Sequence, residues 1–270
     1  MKPFDELDSR TLGQVELLLT DIDDTLTTEG RLTAAAYGAL ERLRQAGLKV
    51  VPVTGRPAGW CDHIARMWPV DGIVGENGAF AFIYDHERRR MRSIEAAELG
   101  DMARNRARLT ALGEEILAKV PGTALASDQP YRLADLAIDF CEDVPALPRE
   151  AVARIVALFE AAGCTAKVSS IHVNGWFGRY DKLSMVETLL AREFGIRLTP
   201  DCQRVAFSGD SPNDAPLFGA VALSIGVANI RDMLDQVAHK PAFVTRGRGG
   251  AGFVEIADRL IAARQAAIAI

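Results

Sequence analysis

Cysteine is scarce in this chain, and the four it has, Cys61, Cys141, Cys164 and Cys202, show no paired spacing. That argues against a structural zinc site and a disulfide framework, and suits a reducing cytoplasm. A basic excess is also missing: 31 Lys and Arg against 36 Asp and Glu give a net charge of −5, so nucleic acid is not an expected partner. No apolar run reaches membrane-spanning length, and Met1 to Thr11 is polar and acidic rather than leader-like, so no membrane association is expected. Internal repeats and low-complexity linkers are absent. What is present, 49% hydrophobic and 25% charged residues over 270 positions, is the composition of a soluble globule with one large or two modest domains. A cytoplasmic protein is expected; monomer and homodimer both fit.

The most informative stretch is Leu17 to Thr27, Leu-Leu-Leu-Thr-Asp-Ile-Asp-Asp-Thr-Leu-Thr. A short apolar run ending in acids predicts a buried strand of a parallel sheet emerging at its carboxyl end, where open α/β sheets bind ligands. Leu48 to Val53 predicts a second strand, running into Thr54-Gly55-Arg56-Pro57, and Asp71 to Val74 a third, running into Glu76-Asn77-Gly78. Between the first two, Thr33 caps a helix that Gly47 stops. The alternation predicts a doubly wound, mostly parallel α/β sheet of the Rossmann type. The rhythm then changes to a hairpin around Asp85 to Arg89, a helix over 97–119, a strand over 132–141, a helix over 150–162 and a strand over 164–173. This α+β pattern predicts an inserted domain over 85–173, with the core formed by 1–84 and 174–270. The core rhythm resumes with a helix over 181–194 and a strand over 204–208 that ends in Gly209-Asp210-Ser211-Pro212-Asn213-Asp214.

Asp21 and Asp23 lie two residues apart and project to the same side of a strand leaving the sheet. One carboxylate can attack a phosphoryl group and the other can handle a proton, although Asp and Thr also simply cap helices. Asp210, Asn213 and Asp214, with Ser211 beside them, are hard oxygen ligands or their supports, which suits magnesium better than zinc. A phosphate approaching Asp21 meets several like charges, each worth about 1 kcal/mol at 4 Å in water and about 4 kcal/mol at an effective dielectric near 20. A bridging cation reverses that sign. Thr54 and the amides around Gly55 can hold a phosphate oxygen at a helix start.

These residues resemble the haloacid dehalogenase superfamily of phosphohydrolases. Asp21-Ile-Asp-Asp-Thr-Leu-Thr is similar to its first motif, Thr54 to its second, Lys182 to its third, and Gly209-Asp-Ser-Pro-Asn-Asp to its fourth. The insertion between the second and third motifs, with Glu76-Asn77-Gly78-Ala79 at its entrance, resembles the type IIB subfamily with a large α+β cap. The resemblance implies a phosphatase with Asp21 as nucleophile, Asp23 as acid/base, Thr54 and Lys182 as phosphate contacts, and Asp21, Asp210, Asp214 and the Asp23 carbonyl as magnesium ligands. Asp24 stands where many relatives have glycine. Phosphatases of sugar phosphates and phosphorylated glycosides are the similar groups, so a small phosphorylated metabolite of that kind is the expected substrate. Further substrate contacts are expected from Gly55, Arg56, Glu76, Asn77, His172 and Asn174, and from Arg246 and Arg248, which flank Gly247 and could grip a second anionic group. A phosphosugar mutase is the alternative enzyme. A phospho-accepting signalling receiver is disfavoured, since receivers are much shorter and have no inserted cap.

Overall fold

The computed structural model describes residues 1–268. In chain order the first half comprises β1 (Lys2–Pro3), α1 (Ser9–Leu12), β2 (Leu17–Thr20), α2 (Ala34–Gln45), β3 (Lys49–Pro52), α3 (Ala58–Met67), β4 (Ile73–Gly75), β5 (Phe80–Asp85), β6 (Arg90–Glu95) and α4 (Met102–Lys119). The second half comprises β7 (Ala124–Leu125), β8 (Leu136–Asp139), α5 (Arg149–Ala161), β9 (Thr165–Val168), β10 (His172–Trp176), α6 (Lys182–Leu189), β11 (Val205–Gly209), α7 (Ala215–Ala220), β12 (Leu223–Gly226), β13 (Phe243–Val244) and α8 (Gly249–Ile268).

Six strands form one parallel sheet in the order β1-β13-β12-β11-β2-β3. Its middle strands are apolar on both faces because both are covered. Leu17, Leu19, Val205 and Phe207 pack toward Val186 and Leu189 of α6 and Leu217 and Phe218 of α7. Leu18, Val50, Ala206 and Ile225 pack toward Leu40 and Leu43 of α2 and Ile256 and Leu260 of α8. The two strands that carry the acidic runs, β2 and β11, are neighbours in register, Leu17 opposite Val205 and Thr20 opposite Ser208. Residues 21 and 210 therefore leave the sheet side by side.

The antiparallel sheet β7-β8-β10-β9 packs on α4 and α5 around Ile116, Ile138, Phe159 and Val173. A second antiparallel sheet, β4-β5-β6, extends from the core edge through the Val53–Val74 bridge, and its Ile83 and Ile94 join the core cluster. The expected boundaries at 84/85 and 173/174 therefore cut through β5 and β10. The hairpin stays with the core because its inner face is buried there, and β10 stays whole because it pairs on both sides. The strand expected over 164–173 is a hairpin instead. Ser169 turns the chain between β9 and β10, its hydroxyl accepting from Ile171 N (3.3 Å) and His172 N (3.0 Å). The lead-in is better anchored than expected, with Phe4, Leu7 and Leu12 buried against α8 residues.

Two backbone positions fix the floor of the sheet's carboxyl edge. Asp24 sits at φ 55, a left-handed conformation that Asp tolerates and glycine adopts freely. At Gly78, φ is 107 and a Cβ would lie 2.0 Å from the Asp181 carbonyl oxygen, so only glycine lets this turn press against the start of α6.

Candidate active site

The carboxyl ends of β2 and β11 are tied together: Ser208 Oγ lies 2.9 Å from Thr20 Oγ1, and Thr20 Oγ1 donates to the Asp21 carbonyl at 2.9 Å. Asp181 caps α6, accepting from Ser184 N at 2.9 Å, and this sets Lys182 at the first helical position. Lys182 Nζ reaches into the rim and donates to Asp21 Oδ1 at 2.7 Å and Asp214 Oδ1 at 2.8 Å. The other Asp214 oxygen accepts from Asp210 N (3.0 Å) and Ser211 N (3.2 Å), so Asp214 organises the loop. Asp210 Oδ2 accepts from Asn229 Nδ2 at 2.8 Å, while Oδ1 is buried without a partner. Ligand oxygens of Asp21, Asp210 and Asp214 all lie within 4.8 Å of one another.

Burial pushes the Asp21 carboxyl well up, with Lys182 opposing the shift and Asp214 and Asp23 adding to it; burial likewise raises Asp210, with Asp21, Asp214 and Asp24 adding and Lys182 opposing. Lys182 is itself raised, the charges of Asp21 and Asp214 overcoming the cost of burial. One lysine does not neutralise three buried acids. An all-oxygen set with a spare buried acceptor fits a hard divalent cation.

The opposite wall comes from the inserted segment. Arg56 Nε sits 3.0 Å from both Asp23 oxygens, and the same guanidinium reaches Glu142 Oε1 at 2.6 Å and Asp128 Oδ2 at 3.3 Å. Its face lies 4.5 Å from the Trp60 ring centroid. His172 Nε2 is 2.9 Å from Glu142 Oε2. Burial alone would raise Glu142, but His172 and Arg56 overcome it and bring the carboxyl down to about 2. Arg132 returns the contact by donating to the Gly55 carbonyl at 2.8 Å. Glu76, fully buried, accepts from Ala58 N (2.9 Å), Leu133 N (2.8 Å), Ala134 N (2.6 Å) and Asp135 N (3.2 Å). Between the walls, bordered by Asp21, Asp23, Arg56, His172 and Asn174, the free room is about 10 Å³. That is the space of about one water. The cap residues Asp128 and Glu142 meet Arg56 across this space.

With this geometry in hand, comparison with known proteins is decisive. Residues 18–104 match the family described as haloacid dehalogenase-like hydrolase. A phosphoglycolate phosphatase of Pyrobaculum neutrophilum is 30% identical over 249 residues, covering 91% of this chain and 96% of that protein. The chain belongs to the haloacid dehalogenase-like hydrolases. A second phosphoglycolate phosphatase, from Methanoculleus marisnigri, is 31% identical over 221 residues, covering 80% of this chain and 85% of its own. In fold, the C-terminal domain of trehalose-6-phosphate phosphatase from C. albicans superposes with a TM-score of 0.70 at 14% identity, covering 97% of this chain and 98% of that one. The enzyme is a phosphatase of this family.

In this hydrolase Asp21, Asp23, Lys182, Asp210, Asp214, Ser211 and Asn213 lie together on one rim. Thr54 is buried beside it, its hydroxyl accepting from Arg56 N at 3.0 Å. Arg56, His172 and Asn174 line the space between the walls. Three of the other expected substrate contacts, Glu76, Asn77 and Arg246, are turned elsewhere. Glu76 faces the backbone of 133–135 rather than the cleft, and Asn77 packs beneath Gly55. Arg246 is 82% exposed and pairs with Asp5, away from the acids. Arg248 borders a neighbouring cleft with Asp24 and Asp210 but is paired with Asp232. Sequence reasoning missed Asn229, which holds both Asp210 and the Asp24 carbonyl (2.9 Å). Its signal was there: a polar residue three positions past the end of an apolar strand, β12. Glu142 and Asp128, separated from the motifs by most of the insertion, carried none. Among the described residues no helix is long and apolar enough to cross a membrane.

Proposed function

We propose that this enzyme is a magnesium-dependent phosphatase that moves the phosphoryl group of a small phosphorylated metabolite onto Asp21. The observation that carries the reading is the lysine of α6 wedged between Asp21 and Asp214, beside an Asp210 oxygen left buried and open. Asp21 Oδ attacks phosphorus as the ester P–O bond breaks, and Asp23 gives its proton to the departing oxygen. Asp23 then takes a proton from water, which attacks the aspartyl phosphate and releases inorganic phosphate and free Asp21. Lys182, Thr54 and the amide of Gly55 balance the phosphoryl oxygens. Asp21, Asp210, Asp214 and the Asp23 carbonyl would hold a magnesium ion, which would supply charge neutralisation and alignment, while Asp214 also fixes the loop. The segment carrying β7 to β10 acts as the cap and must open to admit substrate.

A compact substrate of the phosphoglycolate kind is favoured over a sugar phosphate. Support comes from the names of the relatives. The test is phosphate release with magnesium and with chelator, across 2-phosphoglycolate, hexose phosphates, phosphorylated glycosides and nucleotides. Magnesium-dependent release concentrated on phosphoglycolate is expected. Release concentrated on hexose phosphates would overturn the substrate, and release that persists in chelator would overturn the role of the metal.

A further inference from the structure

Arg56 is held by three carboxylates of different standing. Asp23 belongs to the reacting rim. Asp128 is buried and already satisfied by Arg132, whose Nε and Nη2 reach it at 3.0 and 3.1 Å. Glu142 is the exchangeable one: its side chain is 25% exposed, and the nitrogen donors facing it are those of Arg56 and His172. Its backbone is fixed, because Asp139 accepts from the amides of Cys141 (2.9 Å), Glu142 (2.8 Å) and Asp143 (2.8 Å), so only the side chain is free to leave. His172 Nε2 is buried and, though 2.9 Å from Glu142 Oε2, lies off the line of a hydrogen bond. Arg56 and His172 together therefore present donors to whichever carboxylate sits between them. Arg56 and His172 also border the same small space as Asp21 and Asp23.

We propose that Glu142 occupies, in the substrate-free enzyme, the seat of a carboxylate that the substrate itself carries, and that Arg56 and His172 select for that carboxylate. This rests on the phosphatase reading above and narrows it to phosphomonoesters with a carboxylate one or two carbons from the ester oxygen. The same guanidinium touches Asp23 and Glu142, so an anion in the Glu142 seat lies one guanidinium away from the group that protonates the leaving oxygen. Arrival of the substrate carboxylate sends Glu142 to solvent and keeps the charge on Arg56 balanced.

The test compares kcat/KM for 2-phosphoglycolate and ethyl phosphate, which share a skeleton and differ by the carboxylate, using the full chain with magnesium. The wild type is expected to prefer phosphoglycolate by about tenfold or more, the scale of a charged hydrogen bond. His172→Asn should cut that preference about tenfold, mainly through KM for phosphoglycolate. Glu142→Gln should raise it severalfold by lowering the same KM, since the competing anion is gone. A structural strap would shift both esters alike, so an unchanged ratio in Glu142→Gln overturns the proposal even if His172→Asn fails to fold. Equal hydrolysis of the two esters by the wild type overturns this proposal alone. Hydrolysis of neither overturns it together with the phosphatase reading.

Discussion

Lys182→Met removes the one cation buried among Asp21, Asp210 and Asp214 while keeping the length of the side chain. With oxygens within 4.8 Å of one another, each like-charged pair repels by about 3.5 kcal/mol at an effective dielectric near 20. Breaking a buried ion pair by deleting one partner costs about 3–5 kcal/mol. At about 2–4 °C per kcal/mol, the metal-free variant should melt about 10 °C below the wild type. Magnesium should restore much of that loss, because a divalent cation replaces the missing charge, and should raise the wild-type melting temperature less. The assay is thermal unfolding followed by circular dichroism in chelator and in excess magnesium. A variant that melts with the wild type in chelator, or that ignores magnesium, would refute the electrostatic account of the rim.

Glu76→Ala leaves four backbone N–H groups without their acceptor and should lower stability by about 3 kcal/mol or more, read by urea denaturation, with faster proteolysis near residues 131–135. Glu142 is held down to about 2 against an ordinary 4.5, so its stabilising contribution is full above about pH 4.5 and is lost as pH falls through about 2. Glu142→Gln should flatten stability against pH across that window; equal slopes in the two proteins would contradict the pairing. Arg246→Ala removes an exposed pair with Asp5 and should change kcat/KM by less than about twofold and stability by under about 1 kcal/mol.

The rim was legible because the physics that places it is local. An apolar run ending in Asp says where a parallel strand stops, and β2 and β11 each do so. The pairing of these strands then follows from burying both faces. The cap contacts were less legible because they depend on tertiary docking. Glu76 and Arg56 sit in adjacent loops with similar polar surroundings, yet one is turned to the backbone of 133–135 and the other to Asp23. Nothing local distinguishes them. The Ser169 turn was missed because residues 164–173 contain neither Pro nor a Gly past 163, and a serine hydroxyl made the turn instead. Arg246 looked like an anion grip from its loop, but Asp5, distant in sequence, takes it.

The claim that Asp21 carries the phosphoryl group is tested most directly by trapping it. The enzyme is mixed with magnesium and a hydrolysed substrate, quenched within a turnover, and reduced with borohydride, which converts an aspartyl phosphate to homoserine. The account predicts homoserine at position 21, absent without substrate and absent in Asp21→Asn, which stays folded but inactive. Phosphate release with an unmodified Asp21 at every quench time, or sustained turnover by Asp21→Asn, would contradict it.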